Sequence, residues 1–429
     1  MVVILKSAAA QRRLPAWESR GPELLLISKP FPRLLIALIA LVTLTAFAGS
    51  SGIAQTPGTT NSRVSEGNQL NMLVLGDSIM WGQGLRKEDK SWWRVKSWLQ
   101  DKTGREVKEK IEAHSGALIE TTPGLKPLFT SHDGEVNLIT PTINDQINDA
   151  RNYYGDTSQV DLVLVDGCIN DVDVRNLLDA STSLTALNQR IKEKCGRGMQ
   201  PLLQRITTEF PNAHVVVTSY YRIISSKSAN NSFTRLLVKK LASQTPEARQ
   251  MSDREMRDKL IAISEQWYQT STQSLKEAVA AANSELEKDS SKQRVLFAEI
   301  EFSPEHAFSA PDTLLWNFKF GSTNLYGLRK AIVVLTFGTA AYKPDDPVRE
   351  SRTKSCKETY REPRKGNVES KAVKERRELS ELACRYASLG HPNKMGALIY
   401  TEAIKGQLQW LISDFGWLRT PSRSQVKAN

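Results

Sequence analysis

Residues 72–78 read Met-Leu-Val-Leu-Gly-Asp-Ser, an apolar run that ends in a small polar turn. Consecutive apolar residues of this kind are typical of a strand that is buried on both faces. A serine placed directly after such a strand would lie at the carboxyl edge of a parallel sheet, where open α/β folds bind their ligands. The tripeptide alone is also typical of an ordinary turn. Its meaning therefore depends on the rest of the chain.

Four further segments resemble this strand, and helical patterns separate them. The clearest helical stripe recurs at Met256, Leu260, Ile263 and Trp267, after Ser252 and Glu255 in capping-box spacing, and predicts a core-facing helix. This alternation predicts an α/β fold with a mostly parallel five-stranded sheet between two layers of helices. The other predicted strands are Val107–Ala113, Asp161–Val165, His214–Thr218 and Val295–Ala298.

The chain of 429 residues is long enough for more than one small domain. We predict an N-terminal region at 1–54, a Ser-, Gly- and Thr-rich linker at 55–70, a catalytic domain at 71–415 and a tail at 416–429. Two long connections, near 222–290 and 300–390, exceed a minimal sheet-and-helix pattern. We expect both to be insertions that cap or wall the carboxyl edge of the sheet.

The apolar stretch at 34–47 follows Arg33 and precedes Gly52-Ile53-Ala54. A basic flank, a short apolar run and a small-residue site predict a secretory signal peptide. The run is shorter than the roughly 20 residues that a membrane-spanning helix needs, although an uncleaved anchor is the alternative. Either way the remainder is predicted to be secreted or periplasmic, with membrane contact only through this segment.

The formal charge of +11 describes a mildly basic protein. Its densest basic stretch, Arg352 to Arg377, is interleaved with glutamates, so we predict a solvated surface and no nucleic-acid partner. Histidine and cysteine spacing fits no metal motif, and no cofactor is predicted. Proximity along the chain favours two disulfide bonds, with four reduced thiols as the alternative. These bonds are Cys168–Cys195 and Cys356–Cys384.

Three further segments supply what an activated serine at position 78 would require. A serine hydroxyl needs a base, commonly histidine, and the oxyanion that its attack creates needs donors fixed in advance. Gly116 follows the second predicted strand and can present a backbone N–H, while Asn170 follows the third and can present a side-chain N–H. His391 precedes a helical pattern at 395–411. We predict that these residues meet at one edge of the sheet.

Together these motifs resemble the SGNH (GDSL) hydrolase family over about residues 71–411. The resemblance implies a flavodoxin-like three-layer α/β/α sandwich and a serine esterase or lipase. It implies that Ser78 is the nucleophile and His391 the base, and that the oxyanion hole consists of the Ser78 N–H, the Gly116 N–H and the Asn170 side chain. The residues that carry it are Gly76-Asp77-Ser78, Gly116, Gly167, Asn170-Asp171 and His391-Pro392-Asn393 with Gly396.

One position departs from the family pattern. The family usually has an aspartate three residues before the histidine, and this chain has Ser388 there. Two interpretations stay open: a Ser–His dyad oriented by a backbone carbonyl or by Ser388, or an acid from elsewhere, for which Asp312, Asp345 and Asp346 are the candidates. Because the acid mainly orients the imidazole and stabilises its charged form, its loss predicts a weaker enzyme.

Three functions from different classes follow from these residues. The first is an exported serine hydrolase that acts through an acyl-enzyme on a small-molecule or polysaccharide ester, either a lipid acyl ester or a carbohydrate O-acetyl ester. The second is an O-acyltransferase on the same site, in which an alcohol replaces water. The third is a non-catalytic binding module that kept the fold, and only Ser388 favours it.

Overall fold

The computed structural model describes residues 69–121, 124, 128–230, 246–319, 343–362, 369–415 and 417, which belong to the unit Ser62–Asn429. The predicted signal peptide lies outside these residues, as do nearly all of the linker and the tail. The division of the chain into those regions therefore stays a prediction. Within the described ranges, no helix combines the length and apolar character that a membrane span requires.

Five parallel strands form the central sheet, in the order β2-β1-β3-β4-β5. The predicted fold class is thus confirmed, because this is the strand order of flavodoxin-like sheets. The strands are β1 (Gln69–Leu75), β2 (Glu106–Ile111), β3 (Leu162–Val165), β4 (His214–Thr218) and β5 (Val295–Ala298). A separate antiparallel pair consists of β6 (Phe318–Lys319) and β7 (Lys343–Pro344).

Helices connect and cover these strands. In chain order they are α1 (Ser78–Trp81), α2 (Ser91–Thr103), α3 (Ile143–Tyr154), α4 (Ile169–Val172), α5 (Val174–Leu177), α6 (Leu184–Ile191), α7 (Met199–Glu209), α8 (Pro246–Gln250), α9 (Asp253–Lys288), α10 (Arg349–Thr359), α11 (Lys371–Arg385) and α12 (Lys394–Ser413). A π-helical turn at Lys192–Arg197 joins α6 to α7, and short 3-10 turns occupy Lys87–Asp89, Thr157–Gln159 and Pro304–His306.

Alternate residues of each central strand enter different cores, because side chains of a strand point to opposite faces. On β3, Val163 and Val165 pack with α3, α6, α7 and α9, whereas Leu162 and Leu164 pack with α2 and α12. The sheet is therefore buried on both faces, as its continuous apolar strands predict.

The first long connection supplies a core helix rather than a cap over the sheet edge. Helix α9 begins after Ser252, whose side chain accepts a hydrogen bond from the Glu255 N–H. Its predicted apolar stripe is buried in the same core as β3 and β4, so the length of this connection reflects the helix that it carries. The stripe comprises Met256, Leu260, Ile263 and Trp267.

The second long connection carries β6, β7, α10 and α11 in its described parts. A disulfide bond between Cys356 and Cys384 joins α10 to α11, and a second one joins Cys168 to Cys195. Both are the pairings that sequence proximity favours. The first pairing ties α11 to α10 shortly before the chain reaches His391.

Candidate active site

The serine turn lies where the strand order reverses. Strand β1 stands between β2 and β3, and its carboxyl end passes through Gly76 and Asp77 into Ser78, the first residue of α1. This is the crevice in which open α/β sheets bind ligands. Gly76 adopts φ +131°, and a Cβ there would lie 2.0 Å from Asp166 Oδ1. Only glycine therefore fits this position.

The buried side chains of Asp166 and Gln146 bind the backbone of the serine turn. Asp166 accepts hydrogen bonds from the backbone N–H groups of Asp77 at 2.7 Å and Met80 at 2.9 Å. Gln146 makes a reciprocal pair with the backbone of Gly76, accepting at 2.8 Å and donating at 2.9 Å. These four bonds fix the direction in which the hydroxyl of Ser78 projects.

Asp77 forms a carboxyl pair with Asp166 beneath the turn. Its carboxylate accepts from the Ile79 N–H and from the Tyr220 hydroxyl at 2.6 Å. Burial raises the pKa of Asp77 to about 6, although the bond from Tyr220 opposes that rise. The pKa of Asp166 is also raised, by burial first and by the charge of Asp77 second. Both carboxyl groups therefore have a raised pKa, with burial as the main cause.

His391 is far from Ser78 in the sequence but contacts it in the folded protein. Its Nε2 lies 2.7 Å from Ser78 Oγ, which is hydrogen-bonding distance. A short antiparallel bridge between Leu315 and Pro392 holds the histidine loop, and the Trp316 N–H donates to the His391 carbonyl at 2.7 Å. The Tyr221 hydroxyl also donates to the Gly390 carbonyl at 2.7 Å. The two residues of the predicted dyad are thus in contact.

The other ring nitrogen of His391 has no direct acid. Nδ1 is buried and makes no hydrogen bond with any residue in the described ranges. Burial lowers the pKa of His391 from 6.5 to about 4; the Leu389 carbonyl opposes this shift and the charge of Arg352 adds to it. The imidazole is consequently neutral at neutral pH, the state in which it can accept a proton.

The predicted oxyanion hole includes two backbone N–H groups, those of Ser78 and Gly116. Gly116 has φ +83°, and a Cβ there would lie 2.6 Å from the Leu138 carbonyl oxygen, so the position requires glycine. Within the described part of the chain, neither the Ser78 N–H nor the Gly116 N–H donates a hydrogen bond. The hydrogen bonds of the described residues therefore leave both donors without an acceptor.

Asn170 follows β3, and its side chain reaches the loop that carries Gly116. Its Nδ2 donates to the Ala117 carbonyl at 3.0 Å, which leaves the second amide hydrogen to be used elsewhere. The preceding Cys168 has φ +99°, an uncommon conformation for a residue other than glycine, and its disulfide bond to Cys195 anchors the loop.

The three candidate acids differ in where they lie. Asp346 is buried and reaches Ser388, whose Oγ donates to Asp346 Oδ2 at 2.7 Å. Asp345 accepts from the Asn317 N–H at 3.0 Å, directly beside the pairing of β6 with β7, and Asp312 is exposed. Among the hydrogen bonds of the described residues, that between Ser388 and Asp346 links a candidate acid to the histidine loop.

A polar network extends from the Gly116 loop toward Asp346. Ser115 Oγ donates to Gln83 Oε1, and Gln83 Nε2 donates to Glu135 Oε2 at 2.7 Å. That same Oε2 lies 3.7 Å from Arg352 Nη1. The loop beside the predicted oxyanion hole and the second long connection are therefore joined through buried or largely buried polar groups.

The sequence alone did not indicate all of these supporting residues. Asp166 directly follows an apolar strand, and that position could have marked it as part of the carboxyl edge. Gln146 lies inside α3, and Tyr220 follows β4 without any distinguishing pattern. Their contacts with residues 76–77 depend on how distant segments pack together.

No family model and no curated protein matches the chain. Among solved structures, phospholipase A1 from Streptomyces albidoflavus is 12% identical with a TM-score of 0.34, over 58% of this chain and 88% of its own. An extracellular lipase from Streptomyces rimosus is 14% identical with a TM-score of 0.34, over 57% and 87%. A family two carbohydrate esterase from Clostridium thermocellum is 13% identical with a TM-score of 0.28, over 57% of each chain. Similarity at this level leaves the chemistry to be inferred from the site itself.

Proposed function

We propose that this protein is a serine-dependent carboxylic ester hydrolase of the SGNH type. The contact of 2.7 Å between His391 Nε2 and Ser78 Oγ carries the proposal. It lies at the reversal point of the sheet, and the backbone N–H groups of Ser78 and Gly116 donate no hydrogen bond to any described residue. A nucleophile, a base and anion donors at one place are the requirements of acyl transfer.

The reaction would proceed in two steps. Ser78 Oγ attacks the ester carbonyl carbon while His391 Nε2 takes the hydroxyl proton, and collapse of the tetrahedral intermediate expels the alcohol with that proton. Water then attacks the acyl carbon while His391 Nε2 takes its proton, and the same proton returns to Ser78 Oγ as the bond to the serine breaks and the carboxylic acid leaves. The Ser78 N–H, the Gly116 N–H and the second amide hydrogen of Asn170 would stabilise the oxyanion in both steps.

Export and the class of ester belong to the same proposal. Two disulfide bonds fit an oxidising compartment, in agreement with the predicted signal peptide. A secreted or periplasmic location suits a substrate such as a lipid acyl ester or an O-acetyl ester of a polysaccharide. The fold by itself does not select between these substrates.

The pH dependence should report the lowered pKa of His391. The base must be neutral, so kcat/KM should rise with pH through a limb at about pH 4 rather than near 6.5. The measurement is the pH profile of p-nitrophenyl acetate hydrolysis. A limb near pH 6 that moves in Asp166→Asn would instead belong to the carboxyl pair of Asp77 and Asp166. A limb near 6.5 that is unaffected in Asp166→Asn contradicts the prediction.

The proposal is tested by labelling the purified protein with a fluorophosphonate probe and by assaying p-nitrophenyl acetate and butyrate. We expect probe mass on the peptide that contains Ser78 and release of carboxylic acid from both esters. Parallel assays with an added alcohol acceptor identify an O-acyltransferase if a new ester replaces the acid. A folded protein that neither labels nor turns over favours the binding module instead.

A further inference from the structure

Ser388 occupies the position where the family resemblance leads us to expect an acid, and it is fully buried. Its hydroxyl donates to Asp346 Oδ2 at 2.7 Å, although the two residues are 42 positions apart in the chain. The side chain of Asp346 has no exposed surface. The histidine turn is therefore in contact with a carboxylate. Ser388 stands between this carboxylate and the turn, whereas a direct acid would contact the imidazole itself.

Arg352 holds this carboxylate in place. Its Nη1 and Nη2 bind the two oxygens of Asp346 at 2.9 and 2.7 Å, and Nη2 also lies 3.1 Å from Ser388 Oγ. Such a bidentate ion pair fixes the orientation of the carboxylate in addition to compensating its charge. The side chain of Arg352 is also fully buried, and buried ion pairs are poor evidence of stabilisation because apolar residues often replace them without loss. Stabilisation alone therefore does not explain the pair of Arg352 and Asp346 near His391, and we look for a functional role.

The connection to His391 runs through the backbone of one tight turn. The His391 N–H donates to the Ser388 carbonyl at 2.9 Å, so the two residues belong to the same turn. Nδ1 of His391 makes no hydrogen bond of good geometry with any described residue, although the backbone carbonyls of Leu389, Ser388 and Ala387 act on the ring and raise its pKa. The groups nearest that side of the ring thus belong to the turn that contains Ser388.

A disulfide bond and an ion pair restrain the part of the second long connection that carries Arg352 and Ser388. Arg352 lies on α10, and α11 leads into Ser388. The disulfide bond between Cys356 and Cys384 joins these two helices one turn beyond Arg352 and four residues before Ser388. Glu135 meets Arg352 from the side of the Gly116 loop at 3.7 Å. The carboxylate and its partner therefore have little freedom to move relative to the turn.

We propose that Asp346, held by Arg352 and acting through Ser388, is a positioning residue for His391. It would orient the base indirectly, in place of an acid that contacts the imidazole. The inference rests on the proposed function, since it assigns a role in the reaction of Ser78 and His391. It also gives the second long connection a purpose that composition alone does not suggest.

The first test is Ser388→Ala, which removes the link but leaves the pair of Asp346 and Arg352 intact. We expect kcat for p-nitrophenyl acetate to fall about 10- to 100-fold, with KM within about threefold, because small misplacement of a catalytic group has effects of this size. Ser271→Ala is the matched control, since Ser271 is equally buried and its hydroxyl donates, among the described residues, to the Tyr268 carbonyl within α9. It should leave kcat unchanged.

The second test moves the carboxylate. Asp346→Ser alone should lower kcat at least as much as Ser388→Ala, whereas Asp346→Ser combined with Ser388→Asp should recover most of it, because the acid then stands on the turn beside Arg352. The recovered variant should also shift the acid limb of kcat/KM upward, since a nearby carboxylate raises the pKa of a histidine. A purely structural role would not move this limb.

The outcomes separate the two proposals. Circular dichroism and thermal unfolding establish that each variant is folded before its kinetics are compared. A labelled, active wild type together with a Ser388→Ala variant of unchanged kcat overturns the positioning role and leaves the hydrolase intact. A folded double variant as slow as Asp346→Ser overturns it as well. A wild type that neither labels nor turns over removes both proposals.

Discussion

Ser78→Ala should abolish ester hydrolysis, lowering kcat/KM for p-nitrophenyl acetate by about 10⁴- to 10⁶-fold. The substitution removes the one oxygen that lies 2.7 Å from His391 Nε2, and no acyl-enzyme can form without it. The turn itself should persist, because its hydrogen bonds to Asp166 and Gln146 involve backbone groups. Steady-state kinetics and fluorophosphonate labelling both measure the loss.

Matched variants show whether Ser78 and His391 act as a unit. His391→Ala should be nearly as inactive as Ser78→Ala, and the double variant should be no worse than either, because groups that act together are strongly non-additive. Ser158→Ala and His132→Ala are controls, since His132 is exposed and Ser158 is a half-buried residue of the short turn at Thr157–Gln159. Retention of a tenth or more of wild-type kcat/KM in Ser78→Ala, with the purity of the preparation verified, would contradict the assignment.

Asn170→Ala should lower kcat by about 10²- to 10³-fold, the usual effect of removing one oxyanion donor. One amide hydrogen already binds the Ala117 carbonyl at 3.0 Å, so the variant loses a loop contact together with the second donor. KM should change far less than kcat, because the oxyanion exists only in the tetrahedral intermediate and its transition states. Asn170→Asp should be slower still, since it replaces a donor with a negative charge.

Asn176→Ala provides the matched control for that substitution. Asn176 lies six residues further on, and its Nδ2 donates to the Val172 carbonyl at 2.9 Å. The two variants therefore remove the same chemical group with a similar backbone contact. If Asn170→Ala lowers kcat no more than Asn176→Ala does, the oxyanion role is wrong and the residue serves only to hold the loop.

The strands could be predicted closely because their signal is local. The segments at His214–Thr218 and Val295–Ala298 match the structure residue for residue, since each is a short apolar run bounded by turn residues. Strand β2 ends at Ile111, two residues before its predicted end. The N–H groups of Glu112 and Ala113 both bind the Val74 carbonyl, so the regular ladder stops there.

The predicted position of the dyad also agrees with the contact between Ser78 and His391, even though 313 residues separate them. The motif around each residue is short, and each follows or precedes a predicted element at the same edge of the sheet. The roles of these residues remain proposals that the variants above test. By contrast, the expectation that residues 222–290 wall the sheet edge was wrong for α9, whose stripe packs into the core.

From the sequence alone we could predict the central sheet, several of the helices that cover it, the favoured disulfide pairing and the residues suited to acyl transfer. Apolar runs, helical periodicity and short motifs are properties of neighbouring residues, so they can be recognised before the fold is known. The carboxylate that binds Ser388 and the side chains that bind the serine turn became visible only in the folded structure. Buried polar groups must find partners wherever packing brings them, and the contacts of Asp346 with Ser388 and of Asp166 with Asp77 join segments far apart in the chain.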